Sequence, residues 1–186
     1  MSWHTVQLAE VQPRPWRNGA GVTRELACWP EPSNWVWRMS VAEIAHSGPF
    51  SRFEGVQRWF AVLRGDGVRL CVGGLSQELT SASAPLCFDG ALPVDCELLG
   101  DATQDFNLMV RHDTVSAQMK RVEGKMQLVV DAPKIIAIYP INTGARVQLC
   151  HYSQELAAHS LVWQRLDAGA TVQINAENAL WMEVDV

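Results

Sequence analysis

Three arginines stand in apolar runs of the sequence where side chains alternate between the two faces of a β-strand. Arg38 shares a strand face with Ser40, and Arg58 stands in the next apolar run. Arg111 shares a face with Asn107. An isolated cation on the inner face of a small barrel is costly, and a guanidinium matches a carboxylate in bidentate geometry. If these strands are neighbours, the pattern predicts a pocket that binds a carboxylate.

The arginines also have a simpler interpretation. Arg38 could lie on the solvent side of a tryptophan-rich core, and any of the three could form a surface ion pair with Glu25, Glu43 or Glu54. Both interpretations stay open on the residues alone.

The stretch 16–25 sets aromatic, amide, hydroxyl and charged groups around two glycines, which let the backbone approach other atoms closely. The residues after them predict a strand with Thr23 and Glu25 on one face and Arg24 on the other. Trp16 from this stretch could stack on a planar ligand. The alternative is a polar loop that leads into an edge strand.

A second loop, after the turn at 48–49, places Phe50 beside Ser51. These two residues could give the pocket an aromatic wall and a hydroxyl group. Phe50 could equally close the end of a barrel as an apolar plug.

Short apolar runs separated by Gly, Pro, Asn and Asp dominate the chain and predict many strands and little helix. The runs are 36–44, 57–63, 68–72, 106–110, 128–130, 135–139, 147–152, 161–166, 171–174 and 180–184. We expect helical turns only near 6–11 and 153–159. This all-β pattern is typical of a sandwich or a barrel.

Composition excludes several functional classes. The 186 residues are 48% hydrophobic, which argues against disorder, and the formal net charge of -5 disfavours nucleic acid and anionic membranes as partners. We find no leader pattern and no apolar run of about 20 residues, so we expect a cytoplasmic protein. The five scattered cysteines predict reduced thiols rather than a disulfide framework.

Five motifs together resemble the HutD/Ves family over about the first 111 residues. They are Trp16-Arg17-Asn18-Gly19, the segments 35–43 and 47–58, Gly65-Asp66-Gly67, and the segment 105–111. The resemblance implies a bicupin, which is an all-β fold of two small β-barrel or jelly-roll-like lobes. It also implies an association with histidine utilisation in bacteria and a regulatory role that involves a small carboxylate. It does not supply a reaction.

The resemblance favours the pocket interpretation and the division of the chain into lobes. We place an N-terminal lobe at 1–112, a polar linker at 113–124 and a second lobe at 125–186, fused with the first as one compact unit. The predicted ligand-binding residues are Trp16, Asn18, Thr23, Arg38, Ser40, Phe50, Ser51, Arg58, Asn107, Met109 and Arg111.

Metal ligands are scattered through the sequence. A metal-binding cupin places a His-x-His pair and a carboxylate on one strand, because a first-row metal needs several converging ligands. The segment where that motif would fall contains Arg58 and no histidine. The histidines are His4, His46, His112, His151 and His159. We expect no metal and no cofactor.

Two functions remain for the pocket. The first is a metal-free sensor or governor of histidine utilisation that binds urocanate, N-formylglutamate or formate. The second is a metal-independent isomerase, lyase or hydrolase acting on the same acids, with Glu25 as the best candidate base. A protein-interaction module is a third alternative and would need an exposed apolar patch. A homodimer is compatible with each of them.

Overall fold

The computed structural model describes residues 3–186, and these residues confirm the all-β prediction. The described strands are β1 His4–Gln7, β2 Arg14–Pro15, β3 Gly21–Trp29, β4 Trp37–Ile44, β5 Gly48–Pro49, β6 Val56–Arg64, β7 Val68–Val72, β8 Leu75–Leu79, β9 Leu86–Asp89, β10 Val94–Leu98, β11 Thr103–Arg111, β12 Ala117–Val129, β13 Lys134–Pro140, β14 Ala145–Leu149, β15 Tyr152–Leu156, β16 Ser160–Leu166 and β17 Thr171–Asp185. A single 3-10 turn, Leu8–Glu10, is the helical element of this part of the chain. None of its helices is long and apolar enough to cross a lipid bilayer.

The unit formed by Val11–Thr114 contains two antiparallel sheets that share one core. Six strands follow the order β2-β3-β4-β11-β6-β9, and four follow the order β5-β10-β7-β8. Apolar side chains from both sheets, such as Phe60, Val62 and Leu70, meet in the same buried cluster. Burial of these side chains is the main force that holds the two sheets together.

The register of β11 decides which side chains come together on the inner face of the six-stranded sheet. Asn107 lies opposite Ser40 of β4 and Phe60 of β6. Met109, two residues on, lies opposite Arg38 and Arg58. Because alternate residues share a face, these rows lie side by side on one surface.

A β-bulge inserts one extra residue into β3, next to this inner face. Glu25 is opposite Ser40, Ala27 is opposite Met39, and the residue between them has no cross-strand partner in this register. The extra residue brings Cys28 opposite Arg38. A bulge of this kind changes which side chain reaches a given face.

The second unit consists of residues 3–10 together with Val115–Val186. Its strands form one sheet in the order β1-β16-β13-β17-β14-β15, with β12 also paired to β17. The long strand β17 pairs with β14 along its first part and with β13 along its second part. Trp181, Ile138 and Val162 belong to the core of this unit, and Lys134 forms a buried ion pair with Glu183 at 3.2 Å.

The boundaries of the units differ from the predicted lobes. The segment 113–124 was expected to be a linker, but most of it lies in β12, where Met119 and Val122 are buried between polar neighbours. The residues on the exposed face of β12 are polar. The sequence therefore shows no clear alternation of apolar and polar residues that would have predicted a strand. The chain before Glu10 belongs with the C-terminal residues because β1 pairs with β16. Strand β15 replaces the helical turn expected near 153–159.

Candidate functional site

A cavity of about 800 Å³ opens on the inner face of the six-stranded sheet. Strands β3, β4, β6 and β11 supply its walls, and the loops around 14–18 and 49–53 supply its rim. The lining residues are Arg14, Pro15, Trp16, Arg17, Asn18, Thr23, Glu25, Arg38, Ser40, Ala42, Ile44, Pro49, Phe50, Ser51, Arg52, Phe53, Arg58, Phe60, Asn107 and Met109. Ten of the eleven predicted ligand-binding residues are among them, although their binding role stays a prediction.

Arg58 is the buried cation of this cavity, with a relative exposure of 7%. Its Nη2 donates to Asn107 Oδ1 at 3.0 Å, and its Nη1 donates to the carbonyl oxygen of Ser51 at 3.4 Å. Its Nε has no hydrogen-bond partner within residues 3–186. Since a guanidinium carries five N–H donors, Arg58 keeps donors that the protein does not use.

Aromatic rings, rather than carboxylates, surround the guanidinium of Arg58. Its Cζ lies 5.2 Å from the ring centroids of Phe50 and Phe88 and 5.7 Å from that of Phe53. Burial, together with the nearby charge of Arg38, lowers the pKa of Arg58 to about 10. Arg58 is therefore charged at neutral pH, and no described carboxylate forms an ion pair with it.

Arg38 has a counter-ion in the protein. Its Nε lies 3.2 Å from Glu25 Oε2, and both side chains are about one-fifth exposed. The Nε has no well-aligned hydrogen bond, so the pair is held by charge more than by geometry. Burial, and next the charge of Glu25, raise the pKa of the Cys28 thiol. Glu25 thus supplies a negative group to the wall of the cavity.

The beginning of the 16–25 stretch forms a tight turn over the cavity. Trp16 Nε1 donates to Thr23 Oγ1 at 2.7 Å, and Asn18 Oδ1 accepts from the backbone N–H of Ala20 at 3.0 Å. The ring of Trp16 meets that of Phe50 edge to face at 6.3 Å. This arrangement needs a glycine at 21, because a Cβ there would lie 2.3 Å from a backbone carbonyl oxygen. Trp16 is thereby fixed on the cavity wall.

Arg111 is a correction to the predicted set, because it does not line the cavity. Its Nε donates to the carbonyl oxygen of Trp35 at 3.2 Å, and its Cζ lies 5.5 Å from the Trp35 ring centroid. Arg111 has the parity of Met109, as predicted, but it is the last residue of β11. At that position it reaches Trp35 instead of the pocket.

Three further arginines line the cavity and were not predicted. Arg14, Arg17 and Arg52 are exposed and lie in an edge strand or in loops, where no periodicity marks them. Membership of the quoted motifs was the available signal for Arg17 and Arg52. With them, five arginines and one glutamate line the cavity, an excess of four formal positive charges in a chain of net charge -5.

Asp105 is a buried carboxyl group on β11, two residues before Asn107. Its exposure is 0%, its Oδ2 accepts from Thr103 Oγ1 at 2.7 Å, and its Oδ1 has no described partner. Burial raises the pKa of Asp105 to about 8, against the opposing effect of the Thr103 hydrogen bond. Asp105 is not a lining residue of the cavity, and its sequence context gave no sign of its burial.

Within residues 3–186, no three His, Cys, Asp or Glu side chains are grouped so that they could hold a metal ion. The expectation of a metal-free protein stays a prediction.

Solved structures with the same fold define the class of protein. The oxalate decarboxylase of Lactobacillus farciminis superposes with a TM-score of 0.69 over 99% of this chain and 86% of its own, at 10% identity. The fold is therefore that of the cupins, as predicted. Within this class the HutD family model matches residues 8–182, and the chain belongs to the HutD family.

Two solved structures resemble the chain over nearly its whole length. A conserved protein of unknown function from Pseudomonas aeruginosa PAO1 has a TM-score of 0.90 and 29% identity, with both chains fully covered. HutD from Pseudomonas fluorescens, determined in a formate condition, has a TM-score of 0.87 and 25% identity, and covers 99% of this chain and 98% of its own.

Two sequence relatives match more closely over shorter stretches. An uncharacterized 21.2 kDa protein in the hutC 3' region of Pseudomonas putida is 37% identical over 131 residues, which are 69% of each chain. Protein Ves of Cronobacter sakazakii is 41% identical over 106 residues, which are 56% of this chain and 59% of that protein.

Proposed function

We propose that this HutD-family protein binds a small carboxylate in the cavity of the 11–114 unit and acts as a sensor or governor of histidine utilisation. The proposed ligands are urocanate and N-formylglutamate. The pathway assignment is supported by the Pseudomonas putida relative in the hutC 3' region and by the likeness to HutD of Pseudomonas fluorescens.

The observation that carries the proposal is the buried charge of Arg58. A buried guanidinium without a counter-ion is unfavourable, and an incoming carboxylate would remove that cost. Asn107 and Ser51 hold two of the guanidinium nitrogens, so the fork is already oriented when a ligand arrives. The rings of Phe50, Phe53 and Phe88 exclude water, which strengthens a charge contact at this position.

The remaining lining groups favour binding over turnover. The exposed arginines at the rim attract anions, and a guanidinium has hydrogen-bond donors but no acceptor. Ser40, Thr23 and Asn18 offer polar groups to the uncharged parts of a ligand. A regulatory role requires only that the bound ligand alter the conformation or the contacts of the protein. This lining is suited to binding a ligand.

Calorimetric titration of urocanate and N-formylglutamate into the wild-type protein and two Arg58 variants tests the proposal. Arg58→Lys keeps the charge but loses the bidentate fork, so affinity should fall. Arg58→Met should cost roughly 1.5–3 kcal/mol of binding free energy, the value of a hydrogen bond to a charged group. This variant should remain folded because a buried, uncompensated charge is replaced by an apolar group among phenylalanines.

Arg24→Met is the matched control. Arg24 Nη1 pairs with Glu43 at 2.6 Å, and neither residue lines the cavity. This variant should bind both acids like the wild-type protein. If Arg58→Lys and Arg58→Met also bind like the wild-type protein while folded, Arg58 does not contact the ligand and the proposal is wrong at its centre.

The enzyme alternative is favoured by one observation, the position of Glu25 in the cavity wall. A metal-independent isomerase, lyase or hydrolase would need Glu25 as its base. Its Oε2 already faces Arg38, which leaves Oε1 for a reacting proton. Turnover of either acid by chelator-treated protein, lost in Glu25→Gln, would favour the enzyme over the sensor.

A further inference from the structure

The cavity has an acceptor wall as well as a cationic wall. Glu25 is the only acidic residue among its described lining residues. Glu25 is on β3 and Arg58 is on β6, with β4 and β11 between them in the sheet. At a strand spacing of about 4.8 Å, their backbones are roughly 14 Å apart across the sheet, with a further offset of two residues along the strands. Both side chains line the same cavity, so a ligand inside it has the charged groups of both in its walls.

The surroundings of Glu25 decide which ligand group can approach it. Its side chain is 18% exposed, and its Oε2 is held at 3.2 Å from Arg38 Nε. The thiol of Cys28, a weak donor, forms a hydrogen bond with Glu25, and no described oxygen or nitrogen donates a well-aligned hydrogen bond to it. A second carboxylate placed against it would be repelled in a partly buried setting, whereas a hydrogen-bond donor would be attracted.

We propose that Glu25 makes the cavity select carboxylates that also carry an N–H donor. The carboxylate end rests on the proposed function, in which Arg58 binds it. The second contact is new: Glu25 accepts a hydrogen bond from the N–H of the ligand, and Arg38 holds Glu25 in place for this contact. A carboxylate of the same shape without a donor adds no hydrogen bond to Glu25 and binds more weakly.

Two acids of nearly equal shape test the selection by calorimetry at neutral pH. Urocanate carries a carboxylate and an imidazole N–H, and 3-(2-furyl)acrylate carries the same acrylate on a ring with oxygen and no N–H. The wild-type protein should bind urocanate roughly 10- to 100-fold more tightly, the range for one hydrogen bond to a charged group. In Glu25→Met the two acids should bind with about equal affinity. Furylacrylate should bind this variant no more weakly than it binds the wild-type protein, because Arg38 loses its counter-ion and becomes available to the carboxylate.

Glu43→Met is the matched control because Glu43 also pairs with an arginine, on the same two strands, but does not line the cavity. It should keep the full preference for urocanate. Glu25→Gln, which retains an acceptor for Arg38, should show an intermediate preference.

Three results would overturn the inference. The wild-type protein could bind the two acids with equal affinity, and Arg58→Met could weaken the binding of both. That result would refute selection by Glu25 and leave the proposed function standing. A preference that survives in folded Glu25→Met would assign the selection to another group. Failure of the wild-type protein to bind urocanate, furylacrylate and N-formylglutamate would overturn the proposed function as well.

Discussion

Replacing Asp105 by asparagine should change how the stability of the protein depends on pH. Asp105 is fully buried, and Thr103 is the one described donor to its side chain. Asp105 acts on the buried thiol of Cys96, whose pKa is raised to about 12 by burial first and then by the charge of Asp105. The carboxyl therefore lacks a cation that would stabilise its charge, and the folded protein holds it in the protonated form.

The magnitude follows from the two pKa values. In the unfolded chain Asp105 ionises near its ordinary value of 3.8, and in the folded protein near 8. Between these values the folded state holds one more proton than the unfolded state, so stability falls as pH rises. At 1.36 kcal/mol for each pH unit, the loss is on the order of 5 kcal/mol by about pH 8, and none of it is present below about pH 4.

Asp105→Asn removes the ionisation, so its stability relative to the wild-type protein should rise between about pH 4 and about pH 8. An asparagine brings amide donors that find no partner, at a cost of about 1–3 kcal/mol that does not vary with pH. Urea unfolding of both proteins across this range measures the difference. Asp95→Asn, an exposed change on β10, is the control and should give a flat difference. Parallel curves for Asp105→Asn would show that the buried carboxyl is ionised at neutral pH, and the reasoning would fail.

Four other outcomes are expected. Arg111→Met should leave urocanate binding unchanged and lower the free energy of unfolding by about 1–2 kcal/mol, since it loses the contacts with Trp35; weaker binding in calorimetry would return Arg111 to the site. Asn18→Asp keeps the oxygen that accepts from the turn, so its melting temperature should be unchanged while acid binding falls through repulsion. Asn18→Ala should weaken binding and also lose about 1 kcal/mol of stability. A lower melting temperature with unchanged acid binding would contradict a binding role. Gly21→Ala should destabilise the protein by several kcal/mol in thermal melts because its Cβ meets the carbonyl oxygen of Glu43, and an unchanged melting temperature would show that the strand pair can separate. Elemental analysis of purified protein should find no stoichiometric transition metal, and one equivalent bound through histidine would refute that expectation.

Much of the cavity could be predicted because its walls are strands with a clean period of two. Arg38, Arg58 and Asn107 have the predicted parity, and β11 lies between the strands that carry the two arginines. Parity states the face of a residue but not its distance along the strand from the cavity. Arg111 therefore passed the test of parity and still lies outside the cavity.

The parts that escaped prediction lack a periodic signal. Arg14 and Arg52 reach the rim from backbone whose course depends on tertiary packing. Strand β12 has a polar exposed face, which made its sequence similar to a linker. The burial of Asp105 depends on the residues packed above it, and no local pattern reports them.

The bulge in β3 makes the pairing of that strand depend on one residue. If the same sequence paired regularly from Glu25 onward, Leu26 would lie opposite Met39 and Ala27, rather than Cys28, would lie opposite Arg38. A chain without Leu26 would also pair regularly, but with Cys28 still opposite Arg38. When HutD-family sequences are aligned, a one-residue gap at this position should therefore be interpreted as loss of the bulge, with the register of the strand preserved on both sides.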